Sequence, residues 1–125
     1  MIIEERIYTL YAAAELSEFL RIYETEGLVV QRPILGGFIG YFTSVFGTLN
    51  QVVHWWGYSD LNDREHRRAL LHKDPAWLAV LPKLRPMLQN MENRILSPVS
   101  FSPIQSLPIK VNEPHTAFSD GSTKR

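Results

Sequence analysis

Residues 50–60 read NQVVHWWGYSD, and the fold turns on how this stretch is interpreted. β-branched and aromatic residues dominate it and turn residues bound it, which marks a strand. Alternation puts Val52, His54, Trp56 and Tyr58 on one face, with Val53, Trp55 and Gly57 on the other. Both faces carry large side chains, so each needs a cover.

Just upstream, GGFIGYFTSVFG (36–47) reads as a second strand, with Phe38, Phe42 and Phe46 opposed to Ile39, Tyr41 and Val45. Only GTLN (47–50) separates the two runs, which favours an antiparallel hairpin. Asn50 and Thr48 belong to that turn, where Asn is explained by turn chemistry alone. Downstream, SDLNDREHRRALLHKD (59–74) is helical, with Asp60 as N-cap and Asp63 early, where an acid suits the helix dipole. DPAW (74–77) restarts a helix through Asp74 as N-cap and Pro75 at its first position. Trp77, Val80, Leu81, Leu84, Leu88 and Met91 form that helix's expected buried stripe, bent at Pro82 and Pro86.

The ends complete the order. IIEERIYTLY (2–11) alternates as a first strand, placing Arg6 and Tyr8 together on one face and the adjacent Glu4 and Glu5 on opposite faces. Leu16, Phe19, Leu20 and Tyr23 make a helical stripe that Gly27 is expected to end. ENRILSPV (92–99) reads as a short last strand. The fold class is therefore α+β, a ferredoxin-like β-α-β-β-α-β antiparallel sheet with both helical layers on one face. Residues 1–102 form this domain. Residues 103–125 are a C-terminal arm, partly disordered; the composition changes from Pro98 onward, with 98–111 extended and 112–125 polar and turn-rich.

One sheet face is left without helices. Four aromatics there would amount to about 600–1000 Å², more than the largest apolar patch a typical monomer exposes, roughly 300–600 Å². Self-association is the simplest cover, so a homodimer with face-to-face sheets, a dimeric α/β barrel, is expected.

Composition removes several functions. The 125 residues carry 13 acids and 13 Lys and Arg, so no global field draws the chain to nucleic acid. There is no cysteine, which rules out disulfides and thiolate chemistry. No apolar run reaches the roughly 18 residues of a membrane span. The N-terminus has neither a signal-peptide nor a transit-peptide pattern, so a cytoplasmic location is expected. Phosphate-binding, dinucleotide and nucleophile-elbow motifs are absent from the sequence. His66 and His72 do not stack on one helical face, and no metal or cofactor is expected.

The candidate ligand-pocket residues are His54, Trp56 and Tyr58 on one strand, Arg6 and Tyr8 on another, and Arg64 and Arg68 on the helix after the hairpin. A cavity lined by aromatics with a few convergent polar groups suits a small hydrophobic or aromatic ligand, and His54 can donate, accept or shuttle a proton there. Against this stands a plainer reading, with Trp56 and Tyr58 as core and His54 bonded to a backbone group. Arg64 and Arg68 can hold a carboxylate or phosphate at the pocket mouth. The plainer and favoured reading makes them part of a solvated helix that pairs with Asp60, Asp63 and Glu65.

EERIYTLY (4–11), GYFTSVFGTLNQVVHWWGYSDLNDREHRRALLHKDPAW (40–77) and PMLQNMENRILSP (86–98) together resemble the NIPSNAP family over about residues 3–102. The ordered set of G-x-L-N turn, VVH-x-W-x-Y strand, Arg-bearing helix and DPAW is the specific part. The resemblance implies a ferredoxin-like dimeric barrel and no established catalytic mechanism. Eukaryotic members are associated with mitochondria; this chain departs from them at YAAAE (11–15), where the family tends to have Pro-Gly. Two function classes follow. One is a small-molecule-binding or interaction protein. The other is a cofactor-independent monooxygenase- or isomerase-like enzyme using His54 and neighbouring aromatics, a class found on related barrels, although fold alone does not transfer function.

Overall fold

The hairpin strand is interior to its sheet, which is why both of its faces are loaded. A computed structural model of the protein, describing residues 1–108, has β1 (Ile2–Leu10), α1 (Leu16–Ile22), a π-helical turn (Tyr23–Gly27), α2 (Leu28–Leu35), β2 (Gly37–Thr43) and β3 (Gln51–Tyr58). It continues with α3 (Leu61–Lys73), α4 (Pro75–Leu84), a 3-10 turn (Arg85–Met87) and β4 (Leu88–Leu96). The four strands form one sheet ordered β2-β3-β1-β4, and every neighbouring pair is antiparallel. This is the α+β, ferredoxin-like arrangement expected from the order of elements.

Side chains of Val52, Trp56 and Tyr58 are buried in a core with Phe19, Ile22 and Tyr23 from the first helical layer and Leu71, Trp77, Val80 and Leu84 from the second. Both helix starts of the second layer follow their caps. Asp60 accepts from Asp63 N at 2.8 Å, and Asp74 accepts from Ala76 N and Trp77 N at 2.8 and 3.1 Å.

Four local expectations are corrected. Gly27 does not end the first helix; the chain continues through the π turn into α2 and stops at Gly36, whose φ of +86° suits only glycine. At Gly27 a Cβ would lie 2.8 Å from the Tyr23 ring, so the glycine makes room for that ring. The second strand stops at Thr43 instead of reaching Gly47. Its register shifts between Phe38 and Gly40, a bulge that turns both Phe38 and Tyr41 toward the helices. Strict alternation would have separated those two. α4 ends at Leu84 because Pro86 cannot continue it, so Leu88 and Met91 lie on β4, which starts four residues before the expected ENRILSPV.

The helix-free face consequently carries fewer aromatics than expected. Trp55 and Phe42 meet there edge to face at 5.3 Å, beside Ile7 and Val53. Part of the face is covered by the chain itself: Pro98, Val99 and Ile104 line a hollow with Ile3 and Trp55, and Leu107 lies over Gly57. The expectation of disorder at 112–125 falls outside the described residues.

Candidate functional site

Antiparallel register assembles the site from residues far apart in the chain. Tyr41 of β2 pairs with His54 of β3, His54 with Arg6 of β1, and Arg6 with Asn93 of β4. These four form one row across the sheet on the face beneath the helices. In the next row Phe38, Trp56, Glu4 and Ile95 align.

His54 is 2% exposed and held by rings on both sides. Tyr41 stacks on it at 4.6 Å between centroids, Tyr8 meets it edge-on at 4.8 Å, and Tyr23 stacks in turn on Tyr41 at 4.8 Å. Its Nδ1 accepts a hydrogen bond from Trp56 Nε1 at 2.8 Å, not from a backbone group. An indole nitrogen can only donate, so the imidazole proton resides on Nε2. That Nε2 and the hydroxyls of Tyr41 and Tyr58 are buried without a hydrogen-bond partner among the described residues. Burial, helped by the Arg6 charge and opposed by Glu4, lowers the His54 pKa to about 3, so the ring is neutral at physiological pH. Burial likewise pushes the Tyr23 and Tyr41 hydroxyls far above the usual phenol range. Tyr23 Oη donates to Gln31 Oε1, which fixes the outer ring of the stack.

A charged cluster flanks the imidazole. Glu4 is fully buried and accepts from Arg6 Nη1 at 2.9 Å, Arg64 Nε and Nη2 at 3.0 and 2.9 Å, and Asn93 Nδ2 at 2.8 Å. Burial alone would raise its pKa. The hydrogen bonds from Arg64 and Asn93 and the two arginine charges outweigh that and hold it at about 2. Arg6 Nε also donates to Tyr8 Oη at 2.7 Å.

Between this face and the helices lies a cavity of about 70 Å³. The structure brings Arg6, Tyr8, His54 and Arg68 together around it. Trp56 does not line it, but it packs on Phe38 and sets the His54 tautomer. Tyr58 is buried in the core and does not line the cavity, and Arg64 is spent on Glu4 and Glu65. The helix-surface reading therefore describes Arg67, which pairs with Asp63 at 2.8 Å, and part of Arg64. Arg68 is different: it is half-buried and forms no ion pair among the described residues.

Tyr23, Gln31, Tyr41, His72 and Arg85 also line the cavity and escaped the sequence reading. Tyr41 was hidden by the bulge, and Tyr23 by looking like one more member of an apolar stripe. Only Arg85, a charge between Leu84 and Pro86 at a helix end, left a visible signal. Glu5 lies on the opposite sheet face, as alternation required, where Trp55 Nε1 and Arg94 Nε donate to it at 2.9 and 2.6 Å.

Among solved structures, the chain is similar to a NIPSNAP family protein from Agrobacterium tumefaciens, with 45% identity and a TM-score of 0.80 over 83% of this chain and 98% of that one. A putative antibiotic biosynthesis monooxygenase from Nitrosomonas europaea shares the fold, at 10% identity and a TM-score of 0.58 over 79% of this chain and 99% of that one. Among curated proteins, it is 39% identical over 61 residues to a protein NipSnap homolog of Dictyostelium discoideum, which is 49% of this chain and 27% of the relative. The chain thus spans about a quarter of the length of such relatives. The NIPSNAP family model matches residues 3–103, the whole sheet and both helical layers that build the cavity, and the chain belongs to the NIPSNAP family.

Proposed function

We propose that this protein binds a small organic molecule in the cavity between sheet and helices, and that it does so as a homodimer. The observation that carries the reading is the His54 Nε2–H, a buried donor with no partner among the described residues, on a ring that lines a cavity together with Tyr8, Tyr23 and Tyr41. Leaving such a group unsatisfied costs about 1–3 kcal/mol, which a bound acceptor would recover. Dimerisation is supported by the helix-free face, where Phe42 stays 46% exposed against Trp55. The absence of cysteine suits a reducing, cytoplasmic setting. No helix among the described residues is long and apolar enough to cross a membrane.

Native mass spectrometry of the full chain tests both parts. The expected result is a dimer mass at micromolar protein, with a small compound retained or acquired from a mixed panel of small acids, amides and aromatics. Binding should be lost in Met91→Trp, which fills the cavity from β4. A monomer that takes up nothing, or uptake indifferent to Met91→Trp, would overturn the reading.

A second reading, an oxygenase- or isomerase-like enzyme without a cofactor, is favoured by the same imidazole in a different role. With its proton on Nε2 and Trp56 occupying Nδ1, His54 cannot serve as a base; it can donate to a developing oxyanion. Under this reading His54→Phe abolishes turnover of a bound compound while binding persists.

A further inference from the structure

The cavity's lining is sharply one-sided in charge. Arg6, Arg68 and Arg85 line it, and among the described residues no Asp or Glu does. Glu4 lies close enough for its charge to be felt by Arg68, but its oxygens are hydrogen-bonded to Arg6, Arg64 and Asn93 and form no ion pair with Arg68. Arg68 lines the cavity from α3, with no ion pair among the described residues, while His54, whose Nε2–H is buried without a partner among those residues, lines the same space from β3. A guanidinium has five donors and no acceptor, and this imidazole edge also only donates. What the cavity lacks is an acceptor bearing negative charge. The remaining wall includes Phe19, Leu81 and Leu84, which an inorganic anion would leave in contact with its own hydration. At roughly 10–15 Å³ per water-sized site, the volume accommodates only a few heavy atoms.

Resting on the small-molecule reading above, we propose that the ligand is a short-chain organic carboxylate, its oxygens held by Arg68 and the His54 Nε2–H and its apolar tail set against Phe19 and Leu84. Arg68, without an ion-pair partner among the described residues, is thus available to the ligand. Its pKa is lowered by burial and by the Arg6 charge, as befits a cation awaiting a counter-charge.

Isothermal titration of the full chain with isobutyrate, its isosteric amide isobutyramide, and inorganic phosphate tests this. Isobutyrate is expected to bind at least about tenfold more tightly than the amide, the worth of a charge-assisted hydrogen bond, and more tightly than phosphate. Arg68→Gln should abolish that preference without lowering the melting temperature, because it removes a half-buried cation that forms no ion pair among the described residues. Equal binding of acid and amide would overturn the carboxylate assignment and leave the binding function standing. Phosphate binding as tight as isobutyrate would overturn the role of the apolar wall. A melting temperature well below wild type in Arg68→Gln would show the arginine to be structural and overturn its assignment. Failure of all three probes, together with no uptake from the mixed panel, would remove the binding function itself.

Discussion

Trp56 controls the chemistry of His54 through one hydrogen bond of 2.8 Å. Replacing the indole with Phe keeps an aromatic ring against Phe38 but strands Nδ1, at a cost of about 1–3 kcal/mol by urea unfolding, and frees the tautomer. A nitrogen NMR spectrum should then show loss of the pure Nε2–H form. The depressed His54 pKa also predicts acid sensitivity. Unfolded chains take up a proton at His54 below about pH 6.5, while the folded ring resists until about pH 3, so its stabilising contribution is complete above 6.5 and drains away as pH falls. Unfolding free energy should therefore drop between pH 6.5 and 4.5 with a slope approaching 1.4 kcal/mol per pH unit, roughly one proton's worth. Below 4.5 Glu4 adds to the loss, because its lowered pKa stabilises the fold only while the unfolded carboxyl is ionised. Glu4→Gln, which leaves the mostly buried Arg6 without a counter-charge and Arg64 with Glu65 alone, is expected to cost about 3–5 kcal/mol at neutral pH.

The elements that carry these residues are positioned by a few local devices. Asp74 is one: its carboxylate satisfies two N–H groups at the start of α4, and Asp74→Ala should cost about 0.5–2 kcal/mol, read as a shift in urea midpoint. Gly37 is a harsher constraint. A Cβ there would lie 2.1 Å from the carbonyl oxygen of Gly57, which backbone pairing holds in place. Gly37→Ala is expected to cost about 3 kcal/mol or more and to loosen β2, seen as faster amide exchange from Tyr41 to Thr43. The π turn at Tyr23–Gly27 adds one residue to a helical turn and so rotates Tyr23 onto Tyr41. Insertions of this kind recur where a side chain must be re-aimed at a site.

Around the assembled domain, two surfaces compete to cover the helix-free face. The chain's own residues 98–107 cap the end near Ile3, Trp55 and Gly57, leaving Phe42 and its neighbours for a second copy. Phe42→Glu should convert the proposed dimer to a monomer in analytical ultracentrifugation while leaving ligand titrations of the cavity, on the opposite sheet face, largely intact. Ending the chain at Ser97 should shift Trp55 fluorescence to the red and lower stability by about 1–3 kcal/mol, since Ile104 and Leu107 then no longer shield apolar surface.

The order of elements, the caps at Asp60 and Asp74, the opposed faces of Glu4 and Glu5, and the shared face of His54, Trp56 and Tyr58 were determined by sequence alone. Each depends on neighbours within a few positions, where hydrophobic period and turn chemistry act directly. Only the tertiary structure decided the rest. Asn93 reaches Glu4 from 89 residues away, Tyr41 reaches His54 only because a bulge shifts β2, and two arginines one helical turn apart part company, Arg64 to Glu4 and Arg68 to the cavity. Strand register and helix docking set those distances, and both are fixed by the packing of the whole core, so no local pattern in the chain encodes them.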